Sequence, residues 1–343
     1  MRRRAAAHVL GTLALAALGG GCAAGYVTRA AYEEARLLWR RQPIESLLAG
    51  PLDAGTRAKL ELTLAVRAFA AADLGLSVGG SYTALARVDA GQVVHVVSAA
   101  PRDRLVPYTW WFPIVGDVPY RAYFDAAEAR ALAASLDAQG YDTDVRPAIA
   151  FSTLGWFNDP LLSTLLRDDE EGLAETIVHE LLHSTLYVPG QAAFNESFAT
   201  FVGHRGAQRF FQLRGDTVRA MQAAARWSDA LTFSVCLARG VTRLEAAYAA
   251  GVDPAARAPL FDALRADCVA QPWRTDEYTG FCSGSLNNAV LMHARLYADR
   301  LALFEAAAAR NGDDLRATIA WIRSVASRGD PFAALEVALA PAP

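Results

Sequence analysis

The sequence predicts an α+β fold that is mostly α. A small, mainly antiparallel sheet comes first, then a pair of helices carrying the polar motifs, then a C-terminal helical region. Three observations predict it. Residues 92–98 (Gln-Val-Val-His-Val-Val-Ser) are apolar and β-branched over the length of a strand. Residues 171–187 place apolar side chains at helical spacing around His179-Glu180-Leu181-Leu182-His183. From Gln191 onward helical periodicity is almost continuous.

In chain order, residues 26–50 and 53–74 read as two helices divided at Gly50-Pro51. After the strand at 92–98, residues 109–115 and 118–123 read as an aromatic-rich hairpin around Gly116-Asp117. Residues 125–139 form a helix and 141–150 a further strand. Residues 151–160 (Phe-Ser-Thr-Leu-Gly-Trp-Phe-Asn-Asp-Pro) lead from the sheet to the motif helix and are expected to wall a cleft, with Trp156 and Asp159 as candidate substrate contacts. Helices are expected at 191–213, 217–237, 242–249, 259–269, 286–310, 313–326 and 332–339. Asn287 and Asn288 can either hold a peptide backbone or cap their helix.

The chain has 343 residues and a net charge of −3, with no basic block beyond its N-terminus, which removes the electrostatic footprint of a nucleic-acid binder. Residues 1–21 read as a signal peptide: Arg2-Arg3-Arg4, then an apolar run over 5–18 too short to span a bilayer comfortably. Gly19-Gly20-Gly21-Cys22 resembles a bacterial lipobox, with Gly19 in place of the usual Leu. That resemblance implies a lipid on Cys22, attachment to a membrane, and residence on the periplasmic face of the cell envelope, on the outer membrane. Cleavage near Ala23-Ala24 is the alternative. Residues 22–343 are read as one domain, with its sheet-containing part over about 26–165 and its helical part over about 166–343. An exported protein can form disulfides. Cys236, Cys268 and Cys282 allow at most one within the chain, and Cys268–Cys282 closes the shortest loop.

His179-Glu180-Leu181-Leu182-His183 has the HExxH spacing of a zinc hydrolase helix. At i and i+4 the two imidazoles sit about 40° apart on a helix and reach one Zn²⁺ ion. Glu180 lies about 100° round, beside the ion, where it can take a proton from a water that the metal activates. Asp168, Asp169 and Glu170 suit the helix N-terminus, and Pro189-Gly190 ends the helix. A surface helix with a histidine pair is the plain alternative.

The Gly and third His that metzincins place downstream are Leu186 and Pro189 here. Instead Phe194-Asn195-Glu196-Ser197-Phe198-Ala199 resembles the second-helix motif of gluzincins. The resemblance implies a zincin-like helix pair with Glu196 as third ligand. Small residues (Ala192, Ala193, Ala199, Thr200, Gly203, Ala207) share the Glu196 face, while Phe194, Phe198 and Phe201 face away. With 12 residues between His183 and Glu196, the turn must be tight.

Across nearly the whole mature chain the sequence resembles a bacterial family known as predicted zinc aminopeptidases, many of them lipoproteins. The strings that carry this are Arg41-Gln42-Pro43-Ile44, Gly80-Ser81-Tyr82, Trp111-Phe112-Pro113-Ile114-Val115-Gly116, Tyr120-Arg121-Ala122-Tyr123-Phe124, Ser152-Thr153-Leu154-Gly155-Trp156-Phe157, Asp159-Pro160-Leu161-Leu162-Ser163-Thr164, the two motifs above, and Leu286-Asn287-Asn288-Ala289. The resemblance implies one Zn²⁺ held by His179, His183 and Glu196, with Glu180 as catalyst and a peptide as substrate. Tyr120, Tyr123, Tyr187 and Tyr278 are candidates to stabilise an oxyanion, Glu175 to support the ligands, and Asp159 to bind a substrate α-amine. An envelope endopeptidase and a non-catalytic, zinc-stabilised lipoprotein that binds a partner are the alternatives. Of the other histidines, His95 reads as a core residue, His204 as reaching the cleft rim, and His293 as mid-helix without an evident partner.

Overall fold

The computed structural model describes residues 39–88, 94–112, 116–147, 158–326 and 329–340. Cys22, Trp156 and the loop at 151–157 lie outside them. The described chain is mostly helical with small sheets, the α+β class expected. The expected single sheet is instead three small ones. β1 (Gln42–Pro43), β2 (Ala84–Ala86) and β8 (Leu161–Leu162) form the first, in which β2 and β8 run parallel. β3 (His95–Pro101) lies between β6 (Arg121–Tyr123) and β7 (Tyr141–Pro147), antiparallel to both. Among the described residues, β4 (Trp110–Phe112) pairs with β5 (Gly116–Val118) alone. The hairpin register also differs from expectation. Phe112 pairs with Gly116 and Trp111 with Asp117, so Gly116-Asp117 lie in a strand rather than the turn, and 121–123 leaves to join β3.

Before the sheets come a short helix, α1 (Ile44–Leu48), and α2 (Ala54–Ala72), which Asp53 caps by accepting from Thr56 N at 2.8 Å. α3 (Ala126–Ala138) covers one face of the β6-β3-β7 sheet, where Val97 packs with Ala129 and Ala133. Successive strand residues face opposite sides. Ser98 accordingly meets His293 of α9 (Asn288–Ala298) on the other face.

Two helices position the site. α4 (Glu170–His183) is started by Asp169, whose carboxylate accepts from Gly172 N at 2.7 Å, with Glu170 and Glu171 in the first turn where the helix dipole favours them. The connection to α5 (Ala192–Leu213) turns through Gly190 at φ 75°, a conformation that glycine adopts without a side-chain clash. Asn195 clamps that connection: Val188 N donates to its Oδ1 at 2.9 Å, and its Nδ2 donates to Val188 O at 2.8 Å. The residue before Glu196 thereby fixes the tight turn.

The small-residue face of α5 lies against α4. A Cβ on Gly203 would stand 3.0 Å from Glu175 O and 3.3 Å from the His179 Cβ, and one on Gly206 only 2.8 Å from Val178 Cγ1. Phe194, Phe198 and Phe201 point the other way, into a cluster with Phe304 and Phe332. These rings join a buried core that runs from Ile44 to Leu335.

α6 (Thr217–Ala249) is one 33-residue helix where two were expected. Gly240 does not break it, because α7 (Ala258–Val269) presses Leu264 into the space that a side chain would fill. The expected helix at 286–310 is broken the other way. α9 ends at Ala298, Arg300 takes φ 50°, and α10 (Leu301–Arg310) follows. The break is held from α5 and α6: Ser197 Oγ donates to Leu296 O and accepts from Asp299 N, and Ser234 Oγ donates to Ala298 O. α8 (Thr279–Ser283), α11 (Leu315–Val325) and α12 (Pro331–Leu339) complete the fold. Cys268 and Cys282 form a disulfide, and Cys236 is a buried free thiol. No helix among the described residues is long and apolar enough to cross a membrane.

Candidate metal centre and active site

One turn of α4 and the first turns of α5 bring His179, His183 and Glu196 together. Glu196 Oε2 lies 3.2 Å from His179 Nε2 and 3.5 Å from His183 Nε2. A tetrahedral ion with bonds of about 2.0–2.1 Å separates its ligand atoms by roughly 3.3 Å. Those residues therefore fit such an ion in spacing and in donor type, and they form a group that could hold a metal. The two imidazoles meet edge to face, 5.0 Å between centroids. His183 is buried, and its Nδ1 has no hydrogen-bond partner among the described residues.

Electrostatics bind the triad even without an ion. Burial alone would raise the Glu196 pKa, but the two imidazoles outweigh it and hold the carboxyl far below its ordinary range. Burial would lower His183, yet Glu196 and then Glu180 bring it above the usual imidazole value. Glu180 is half-buried beside the triad. Burial raises its pKa, Glu196 and Asp159 add to this, and the two histidines only partly offset it. A carboxylate tuned upward in this way is a stronger base than a free one.

Two phenols that sequence reasoning missed flank these groups. Tyr297 of α9 stacks on His179 at 6.1 Å and 27°. Its pKa stands well above 10 because of burial, then Glu196, Tyr120 and Glu180. Tyr82 is buried and adopts φ 59°, unusual for a non-glycine residue. It too is held protonated, by burial first and then by Glu180 and Asp159. Its backbone N donates to Asp159 O at 2.7 Å, and Asp159 N donates to Ser81 Oγ at 3.1 Å. Asp159 is thus buried among residues 81–82 and bears on Glu180. Tyr82 stands in one of the strings that carry the family resemblance, but nothing near it or Tyr297 in sequence marks a role beside the motif, since each reaches it only through the fold.

A cavity of about 450 Å³ opens beside His179 and Glu180. It is lined from the sheet by Val96, Arg146 and Pro147, from α9 by His293, Ala294 and Tyr297, and from the far side by Phe233, Tyr278 and Phe281. Of the expected substrate contacts, Trp156 lies outside the described residues and Tyr120 bears on Tyr297. Asn287 and Asn288 are corrected to fold-holding roles. Asn287 caps α9 by accepting from Val290 N and donates to Thr143 O; Asn288 is buried, donates to Pro101 O and accepts from Tyr248 Oη. Both amides are used in tying α9 to its neighbours. Among the oxyanion candidates, Tyr278 lines the cavity, while Tyr187 lies past the end of α4 and bears on Glu196 electrostatically.

The remaining histidines also find places. His204 and Glu175 both line the cavity, with His204 Nδ1 3.1 Å from Glu175 Oε2. His95 is half-buried, and its Nδ1 has no hydrogen-bond partner among the described residues, so it is not the satisfied core residue expected. His293 Nδ1 lies 3.3 Å from Ser98 Oγ, and burial followed by Arg146 lowers its pKa to about 3. An unfolded histidine titrates near 6.5, so between those values the unfolded chain binds the extra proton. His293 therefore contributes stability that is complete above pH 6.5 and is lost as pH falls toward 3. Urea midpoints of wild type and His293→Leu at pH 7 and pH 5 should show the wild type losing more stability on acidification, by up to about 1.4 kcal/mol per pH unit. Equal losses would refute the assignment.

Fold and site together define a mostly helical protein in which two histidines and a glutamate, suited to a metal ion, meet beside a pocket that His179 and Glu180 line. Over residues 25–331 the chain matches the model of the family described as "Putative aminopeptidase", and it belongs to that family. No curated protein and no solved structure matches it significantly.

Proposed function

We propose that this protein is a zinc-dependent aminopeptidase. The observation that supports it most is the convergence of His179, His183 and Glu196 at metal-ligand spacing, with the upward-shifted Glu180 beside them. The family supports the peptidase class. When bound, zinc supplies Lewis acidity that polarises a carbonyl and lowers the pKa of water. His179 and His183 would hold the ion as neutral imidazoles, and Glu196 would hold it as a carboxylate. Glu180 accepts the proton of the attacking water on its carboxylate and returns it to the leaving amine. Tyr297, protonated at working pH, donates a hydrogen bond to the developing oxyanion. Phe233, Tyr278, Phe281 and Ala294 exclude water and favour an apolar first side chain.

The test is to incubate the full chain, purified in detergent, with a mixed peptide library and read the products by mass spectrometry. Ladders that lose one N-terminal residue at a time are expected, abolished by a chelator and restored by zinc. Internal cuts would move the reading to an endopeptidase, and no zinc-dependent cleavage would overturn both. We further propose that a lipid on Cys22 holds the enzyme at the periplasmic face of the envelope. Cys22→Ala should then shift it from the membrane to the soluble fraction, and an unchanged distribution would refute this.

A further inference from the structure

We infer that Glu175, His204 and Glu277 receive the free α-ammonium group of the peptide, so that the pocket takes its substrate by the N-terminus. This rests on the aminopeptidase reading above and names the groups that would make it so. One polar atom from each of the three residues lies within 4.8 Å of the others. All three line the same cavity as His179 and Glu180.

An acidic cluster alone would say little, but His204 adds an independent pointer. It is 2% exposed, and its Nδ1 has no hydrogen-bond partner among the described residues, although Glu175 Oε2 stands only 3.1 Å away. A buried nitrogen and a carboxylate this close can share one donor between them. An alkylammonium carries three N–H donors, and the cluster offers three acceptor groups.

Charge favours a cationic ligand. Arg226 is the cation that acts on Glu175, Glu277 and His204 together. Arg226 is itself ion-paired with Asp169, and Asp229 also acts on Glu277, so the cluster stays electronegative and an ammonium is drawn to it. Glu277 is exposed as a residue, yet its carboxyl turns into the cavity, where burial and then Glu175 push its pKa up to about 7. Glu175 likewise draws a proton toward His204, against the effect of burial, and an arriving ammonium takes that proton's place.

Position and rigidity agree with the role. Glu175 lies one helical turn, about 6 Å of rise, before His179. The α-nitrogen of a peptide is only about 2.5 Å from its first carbonyl carbon. An amine anchored at Glu175 therefore brings the first peptide bond, rather than a later one, toward His179 and Glu180. Glu277 sits in the loop closed by the Cys268–Cys282 disulfide. Buried Asp229 fixes that loop by accepting from Arg274 N, Thr275 N and Thr275 Oγ1. An acceptor held in place before binding loses little freedom on binding. Asp159, the sequence candidate for this role, is buried with Ser81 and Tyr82 and is not part of the cavity lining.

The test uses the zinc-loaded full chain carrying Glu180→Gln, so that nothing is hydrolysed, and measures binding of a leucyl pentapeptide and its N-acetyl form by calorimetry. The free-amine peptide should bind about 10- to 100-fold more tightly, and adding Glu277→Gln should erase most of that preference. Glu277 is on an exposed loop, and an unchanged near-ultraviolet dichroism spectrum checks that the fold is kept. Equal binding of the two peptides, or a preference that survives Glu277→Gln, overturns the inference. So does a second zinc ion per chain that Glu277→Gln removes, which would make the cluster a metal site. Failure of the aminopeptidase reading would look different, with a free-amine preference present in binding while the active protein cuts internally or not at all.

Discussion

Replacing Glu180 with Gln is expected to lower kcat by roughly 10²- to 10⁴-fold while the protein keeps its zinc. The amide has the same shape as the carboxyl but cannot take a proton. Glu180 is not among the three residues whose donor atoms converge, so its loss removes proton transfer and not metal binding. The same substitution separates an enzyme from a zinc-stabilised binding protein, which would have no activity to lose. Steady-state kinetics with a free-amine peptide, alongside elemental analysis of the purified variant, makes the measurement. Activity within a few-fold of wild type would sink the role given to Glu180, and loss of zinc would recast it as a ligand.

Glu196→Ala should act on the metal itself. It is expected to weaken zinc binding by roughly 100-fold or more, since perturbing even the partners of metal ligands typically costs 10- to 100-fold, and to remove activity in proportion. The side chain is 14% exposed and touches both imidazoles, so its loss also leaves His179 and His183 without the carboxylate between them. In the metal-free protein Glu196 has a depressed pKa and contributes stability that is full above about pH 4.5 and lost on further acidification. The variant should lose that acid-side dependence. Competition with a chromophoric chelator measures the affinity. If zinc affinity does not change, Glu196 is only a salt-bridged helix residue.

Much of the site was legible because its geometry is local. In His179–His183 the spacing of a helix sets the separation of the imidazoles, and helix-forming residues with an Asp169 cap are written into the same stretch. The small face of α5 was legible for the same reason, although the closest approach proved to involve Gly206 as well as Gly203. Expectation failed wherever a distant partner decided the outcome. Leu264 fills the space beside Gly240 and lets α6 run on, and Ser197 captures Asp299 N where α9 was expected to continue into α10. Gly116-Asp117 carry a turn signal, yet pairing with β4 places them in a strand. Asn287 and Asn288 carry groups that suit a peptide, but Thr143, Pro101 and Tyr248 had already engaged them.

By itself, then, the sequence determined the fold class, the helix that presents His179, Glu180 and His183, and the candidacy of Glu196, because helical periodicity acts over a few residues. The tertiary structure alone decided what surrounds them. Tyr82 comes from about 100 positions before the motif and Tyr297 from more than 100 after it, while Glu277 is brought opposite Glu175 and His204 by a disulfide-closed loop. Burial shifted Glu180 upward and enclosed His204 beside Glu175, and burial belongs to the packed molecule rather than to any stretch of its chain.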